Sequence, residues 1–134
     1  RPAPRLALMI DVSGSIEGPL LVRFARELEA ILRRQEAALT LVIGDDQVRR
    51  VERIEPLRGT RRGFDLRGLE FHGGGGTDFT PLLEEADRHA PDIGVVLTDL
   101  EGPARHRPRW PVIWAVPPER AAAVAPFGQV LVLD

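Results

Sequence analysis

Short, continuous apolar runs recur along this chain, and the clearest of them end in a carboxylate residue. Residues 6–10 (LALMI) run into Asp11, and residues 93–97 (IGVVL) run into Thr98 and Asp99. Runs of this length with no polar alternation are typical of strands that are buried on both faces of a parallel sheet. The pattern therefore predicts a largely parallel sheet with oxygen-bearing side chains at its carboxyl edge.

Segments with helical periodicity lie between these runs. Residues 20–32 space their apolar side chains three and four apart, and residues 82–89 form a second predicted helix with Pro81 in its first turn. Strands are predicted at residues 6–10, 39–43, 48–54, 93–97, 112–116 and 130–133, with short helical character at 119–124. The short turn before residue 48 favours an antiparallel hairpin. We predict an α/β, Rossmann-like three-layer sandwich with a mainly parallel central sheet, one antiparallel strand and helices on both faces.

The size of the chain favours one domain. With 134 residues and 43% hydrophobic content, residues 1–134 are expected to enclose a single core. The chain starts without Met and enters a strand almost at once, so we expect a domain excised from a longer protein.

Composition also excludes several classes of function. A net charge of -2 gives no general positive field for nucleic acid, and no apolar run is long enough to cross a membrane. The absence of cysteine excludes disulfides and thiolate metal ligands. Composition leaves the cellular compartment undecided.

Three oxygen-bearing side chains leave the first predicted strand at alternating positions. Asp11, Ser13 and Ser15 lie in a loop that Gly14 can bend, so all three can turn toward one point. Hydroxyl and carboxylate oxygens are ligands for hard cations. We expect one divalent cation, with Mg²⁺ or Mn²⁺ favoured and Ca²⁺ as the alternative.

Three motifs together resemble a known site. DVSGS at 11–15, GGTD at 75–78 and TD at 98–99 resemble the metal-ion-dependent adhesion site (MIDAS) of von Willebrand factor A domains. The resemblance covers nearly the whole chain. It implies that the metal ligands are Asp11, Ser13, Ser15, Thr77 and Asp99. Asp78 is expected either to cap the following helix or to hydrogen-bond to a metal-bound water in the outer shell. It also implies that an Asp or Glu of a protein partner or neighbouring domain completes the coordination.

A closer resemblance points to one bacterial branch. GGGGTDF at 73–79, the stretch from Thr98 to Pro103, VIWAV at 112–116 and PFG at 126–128 are similar to the carboxyl-terminal domain of predicted metallopeptidase-like proteins. This similarity implies a bacterial, cytoplasmic domain and a partner such as a ring-forming ATPase. The chain departs from the wider family at Leu100, where a Gly is usual, and in a shorter segment before Gly73.

Other polar residues have simpler interpretations. The glycine run lacks the GK[ST] ending of a phosphate-binding loop, and His72, His89 and His106 show no paired zinc-ligand spacing. Asp45 and Asp46 are expected to be turn residues. Two arginine groups could remain solvated or receive an acidic partner; they are Arg58, Arg61, Arg62 and Arg67, and Arg105, Arg107 and Arg109. Trp114 is expected in the core, whereas Trp110 could be exposed.

The leading functional hypothesis is a non-catalytic module in which the cation bridges to an acidic residue of another protein. The set of oxygen ligands is complete, and no catalytic base or nucleophile accompanies it. The alternative is a metal-dependent hydrolase, or part of a metallopeptidase, with Asp78 or Asp45 as general base.

Overall fold

The computed structural model describes residues 4–11, 26, 37–54, 78–100 and 102–133. Within these ranges, six strands and one α-helix follow each other along the chain. They are β1 (Arg5–Asp11), β2 (Ala38–Gly44), β3 (Val48–Ile54), α1 (Thr80–Asp87), β4 (Ile93–Leu97), β5 (Val112–Val116) and β6 (Gln129–Val132). A short 3-10 helix, Pro118–Arg120, lies between β5 and β6.

The strands form one sheet in the order β3-β2-β1-β4-β5-β6. Every neighbouring pair is parallel except β2 and β3, which form the expected antiparallel hairpin. The predicted α/β fold with a mainly parallel sheet is therefore confirmed. β1 lies between β2 and β4, so the order of strands changes direction there.

Both faces of the sheet are apolar, because alternate residues of each strand point to opposite sides. One face carries Leu8, Ile10, Leu41 and Ile43. The other carries Met9, Val96 and Trp114, and α1 packs its Leu82, Leu83 and Ala86 against this face. The predicted helix therefore packs its apolar side chains against the sheet.

The helix predicted over residues 20–32 lies outside the described residues apart from Arg26, which is helical and exposed. The segment from Arg58 to Gly68 lies outside them as well. In the described part of the chain, no helix is long and apolar enough to cross a membrane.

The predicted helical character at residues 119–124 is wrong in extent. Only Pro118–Arg120 forms a 3-10 helix, and Val124 is 89% exposed. Ala123 and Ala125 pack against the core at alternate positions, with exposed Val124 between them, which is the pattern of an extended segment. Pro126 also disfavours helical backbone at the residue before it. The helix α1 begins two residues before the predicted start at Leu82 and ends at Asp87, two residues before the predicted end, where the chain continues as a turn through His89.

The two tryptophans support the face that α1 covers. Trp114 is fully buried as expected, and its indole N–H donates to the Phe127 carbonyl oxygen at 2.6 Å. Trp110 is half-buried and packs against the same cluster. Its ring lies so close to Gly94 that an added Cβ would overlap it, and that Cβ would lie 3.0 Å from Met9 Cε.

Gly94→Ala is therefore expected to lower the free energy of unfolding by about 1–3 kcal/mol, because the new methyl group overpacks a filled site. Chemical denaturation would measure the change. In a Trp110→Leu background the same substitution should cost less, since the ring it strikes is gone. An equal cost in both backgrounds would contradict the assigned contact.

Candidate metal centre

Asp11 is the last residue of the central strand β1. Ile10 is paired with Leu97 of β4, and Asp11 is paired with Gly44 of β2. The side chain of Asp11 is buried, with an exposed fraction of 2%. It lies at the carboxyl edge of the sheet where the strand order changes direction, which is the usual ligand position in α/β proteins.

The hydroxyl of Thr98 joins this carboxylate to the loop after β4. Thr98 is fully buried, and its Oγ1 donates to Asp11 Oδ2 at 2.7 Å. The same oxygen accepts a hydrogen bond from the Leu100 amide at 3.0 Å. One hydroxyl therefore fixes both the Asp11 carboxylate and the turn that carries Asp99. We had not assigned Thr98 a role from sequence, although a hydroxyl at the end of an apolar strand already indicates a buried polar partner.

Asp99 carries a buried oxygen atom that lacks a hydrogen-bond partner. Across the described residues, its Oδ1 is the one buried side-chain polar atom in this condition. Leaving a buried polar atom unsatisfied costs about 1–3 kcal/mol, and more for a charged group. The backbone beside it is held, because Arg120 Nε donates to the Asp99 carbonyl oxygen at 2.8 Å. No local sequence signal marked Arg120 for this contact, which depends on the turn after β5.

Leu100 lies at the position where the wider family usually has Gly. Its φ angle is +66°, in the left-handed region that favours glycine. A non-glycine residue there is strained by about 1–2 kcal/mol. The Leu100 side chain is 8% exposed and joins the cluster of α1, so its burial offsets the strain. The turn expected of a Gly thus forms with a Leu.

Asp78 lies two residues before the start of α1 at Thr80 and is half-buried. Its Oδ1 accepts a hydrogen bond from the Thr80 amide at 3.0 Å. This start of α1 is close to the same sheet edge, because a Cβ at Gly44 would lie 2.8 Å from Leu82 Cδ2. Asp78 therefore has a structural task at the helix start, and its other oxygen atom is compatible with an outer-shell role.

Ser13, Ser15 and Thr77 lie outside the described residues, so their roles stay predictions. Parallel pairing of β1 with β4 brings Asp11 and Asp99 to the same edge. No group of three His, Asp or Glu suited to a metal ion occurs among the described residues, and only two of the five predicted ligands are carboxylates. The partnerless Asp99 oxygen and the all-oxygen donor set fit a hard divalent cation.

Asp45 has the structural role expected of a turn residue. Its Oδ1 accepts a hydrogen bond from the Gln47 amide at 3.0 Å, and Arg49 donates to both carboxylate oxygens at 3.1 and 3.2 Å. Burial raises the pKa of Asp45, but the hydrogen bonds from Arg49 and Gln47 and the Arg49 charge outweigh it. The pKa is therefore held below its ordinary value. Asp46 is exposed.

The two described histidines pair with carboxylates of α1. His89 Nε2 lies 3.0 Å from Glu85 Oε2, and His106 Nε2 lies 3.0 Å from Asp87 Oδ2. Both carboxylates belong to the last turn of α1, at the opposite end from Asp78. His72 is outside the described residues. The described histidines therefore contribute nothing to the candidate metal centre.

Comparison with known proteins places the chain in a family. Residues 6–134 match the family model described as "VWA-like domain (DUF2201)", so the chain belongs to this family. It is also similar to a protein of Thermotoga maritima that is described as uncharacterized, with 35% identity over 97 residues. That match covers 72% of this chain and 23% of the Thermotoga protein, so the chain spans about a quarter of that relative's length.

Thr98→Val is expected to lower the free energy of unfolding by about 1–3 kcal/mol, because the Asp11 carboxylate and the Leu100 amide both lose a buried hydrogen bond. Urea denaturation would measure the loss. Thr98→Ser keeps the hydroxyl and should retain most of the stability. A Val variant as stable as the wild-type protein, or a Ser variant less stable than the Val variant, would contradict this role of the hydroxyl.

Arg49→Gln should destabilise the protein at neutral pH and lose this effect in acid. Since the folded-state pKa of Asp45 is lowered from 3.8, the ion pair stabilises the protein above that pH, and the contribution disappears as pH falls through the folded-state pKa. Urea denaturation of both proteins across the acid range would show the difference shrinking. Arg50→Gln removes the same charge from the same strand and should show a weaker pH dependence.

Proposed function

We propose that this domain is a module for protein–protein interaction that works through one bound divalent cation in a metal-ion-dependent adhesion site. Mg²⁺ or Mn²⁺ is the favoured ion, with Ca²⁺ as the alternative, because the proposed donors are all oxygen. The ligands would be Asp11, Ser13, Ser15, Thr77 and Asp99, with Asp78 in the outer shell.

The observation that carries the proposal is the buried, partnerless Oδ1 of Asp99 at the same sheet edge as Asp11. Two carboxylates at adjacent strand ends repel each other, and a buried oxygen atom without a donor is costly. A cation would relieve both costs. Membership of the VWA-like family supports the same interpretation.

The protein's own residues have separable tasks in this proposal. Thr98 holds the Asp11 carboxylate, and Arg120 holds the backbone of Asp99. Three of the five proposed ligands are neutral hydroxyls, so the protein would neutralise only part of the ion's charge. When bound, the cation would offer a coordination position to a carboxylate oxygen from outside the domain.

The proposed partner is a protein, or a neighbouring domain of a longer chain, that offers an Asp or Glu. The resemblance to metallopeptidase-like bacterial proteins suggests a ring-forming ATPase in the cytoplasm. We favour a non-catalytic role. The two candidate general bases of the hydrolase alternative are engaged, since Asp45 is paired with Arg49 and Asp78 Oδ1 accepts the Thr80 amide.

Asp99→Asn should weaken the binding of Mg²⁺ or Mn²⁺ by about tenfold or more, because a ligand loses its charge. Isothermal titration calorimetry would measure this affinity. In EDTA, the variant should be at least as stable as the wild-type protein, since one of two neighbouring carboxylates is gone. With excess Mg²⁺, the wild-type protein should become the more stable.

Glu84→Gln is the matched control, because it removes the same charge from an exposed position of α1 and should change neither property. Absence of any heat of binding with Mg²⁺, Mn²⁺ or Ca²⁺ would contradict the metal proposal. Metal-dependent turnover of phosphate-ester or peptide substrates, abolished by Asp99→Asn, would favour the hydrolase alternative.

A further inference from the structure

Residues 104–110 alternate in burial along the loop between β4 and β5. Arg105, Arg107 and Arg109 are exposed, whereas Pro108 is buried and the other residues of this segment are half-buried. All three exposed positions are therefore arginines. We call residues 104–110 the arginine strap.

The inward side of the strap is anchored to both ends of α1. At the start of the helix, the Phe79 amide donates to the Pro103 carbonyl oxygen at 2.9 Å, and the Arg105 amide donates to Thr80 Oγ1 at 2.8 Å. At the end of the helix, Asp87 takes two contacts. Its Oδ1 accepts the Trp110 indole N–H at 2.9 Å, and its Oδ2 lies 3.0 Å from His106 Nε2.

These anchors hold the charged side of the strap in place without neutralising it. No described residue forms an ion pair with the side chain of Arg105, Arg107 or Arg109. The guanidinium of Arg107 lies 5.5 Å from the centre of the Phe127 ring, which leaves its charge unopposed. Asp87 interacts electrostatically with Arg109, and the pKa of Asp87 is lowered first by the Trp110 hydrogen bond and further by His106 and Arg109.

The strap also begins at the candidate metal centre. Arg105 is bonded through its amide to Thr80, the first residue of α1, and Thr80 donates its own amide to Asp78. From there the strap follows α1 away from the carboxyl edge of the sheet. A partner that reaches the metal centre with one carboxylate would therefore have a row of positive charges beside it.

We propose that the arginine strap is a second contact surface that receives an extended, acidic segment of the protein partner. The inference rests on the proposed function for the class of partner. The alternating burial of residues 104–110 is the pattern of an extended backbone, in which alternate residues are about 6–7 Å apart. Carboxylates on alternate residues of an extended partner segment have the same spacing. The three arginines of the strap would then pair with several acidic residues of the partner, next to the carboxylate that binds the ion.

A protein partner fits this surface better than a nucleic acid. The whole chain carries a net charge of -2, so repulsion of a long phosphate backbone would oppose a contact made by three arginines. A short acidic segment needs only the local charge. The same argument predicts that binding weakens steeply as salt concentration rises.

A fluorescent peptide in which Glu alternates with Ser would test the proposal by anisotropy at low salt. Replacing Arg105, Arg107 and Arg109 together with Gln should raise its Kd about tenfold, because three exposed ion pairs are lost. The loss should occur in EDTA as well as in Mg²⁺. The matched control replaces Arg26, Arg50 and Arg53 with Gln, which removes the same charge elsewhere, and should change Kd by less than about twofold.

Each outcome separates the strap from the metal site. Equal losses in the strap and control variants would overturn the proposal in favour of general charge. Peptide binding that requires Mg²⁺ and ignores the strap variant would overturn it while leaving the metal proposal intact. Strap-dependent binding in a protein that binds no metal would support the strap and refute the metal site. Tighter strap-dependent binding of single-stranded oligothymidylate would overturn the assignment to an acidic protein.

Discussion

The central strand β1 is hydrogen-bonded to a neighbour on each edge and has apolar layers on both faces. A polar side chain inside such a strand would lack water and partners, so oxygen atoms can gather only where the strand ends. Asp11 occupies that end, and parallel pairing brings the end of β4 beside it. The position of the candidate metal centre follows from this constraint.

Residues of the loop after β4 fix the geometry of the candidate site. The Thr98 hydroxyl serves Asp11 and the Leu100 amide at once, and Leu100 adopts a strained φ angle to complete the turn. The backbone of Asp99 is held by Arg120 while its Oδ1 has no donor among the described residues. Burying this oxygen atom without a donor costs free energy, and a bound cation would offset that cost. The arginine strap continues the same loop and adds exposed positive charge beside the site.

Sequence reasoning predicted the strands because their signal is local. Most strands coincide with short apolar runs, whereas β3 was predicted from the short turn before it. Every described strand lies within one residue of its predicted limits, including the hairpin of β2 and β3. The helical character predicted at residues 119–124 is wrong in extent, because Ala123 and Ala125 pack against the core at alternate positions beside exposed Val124. Among the site residues, the motifs indicated Asp11, Asp78 and Asp99, but Thr98 and Arg120 were missed because their partners are distant in sequence.

The sequence by itself determined the fold class and the chemistry on offer: apolar runs that must be buried, each followed by residues bearing oxygen. Those properties depend on the order of neighbouring side chains, which can be read directly. The tertiary structure alone decided that β1 pairs with β4, that one Asp99 oxygen is buried without a partner, and that three arginines share an exposed side. These features depend on contacts between segments far apart in the chain, and no local pattern encodes which segments will meet.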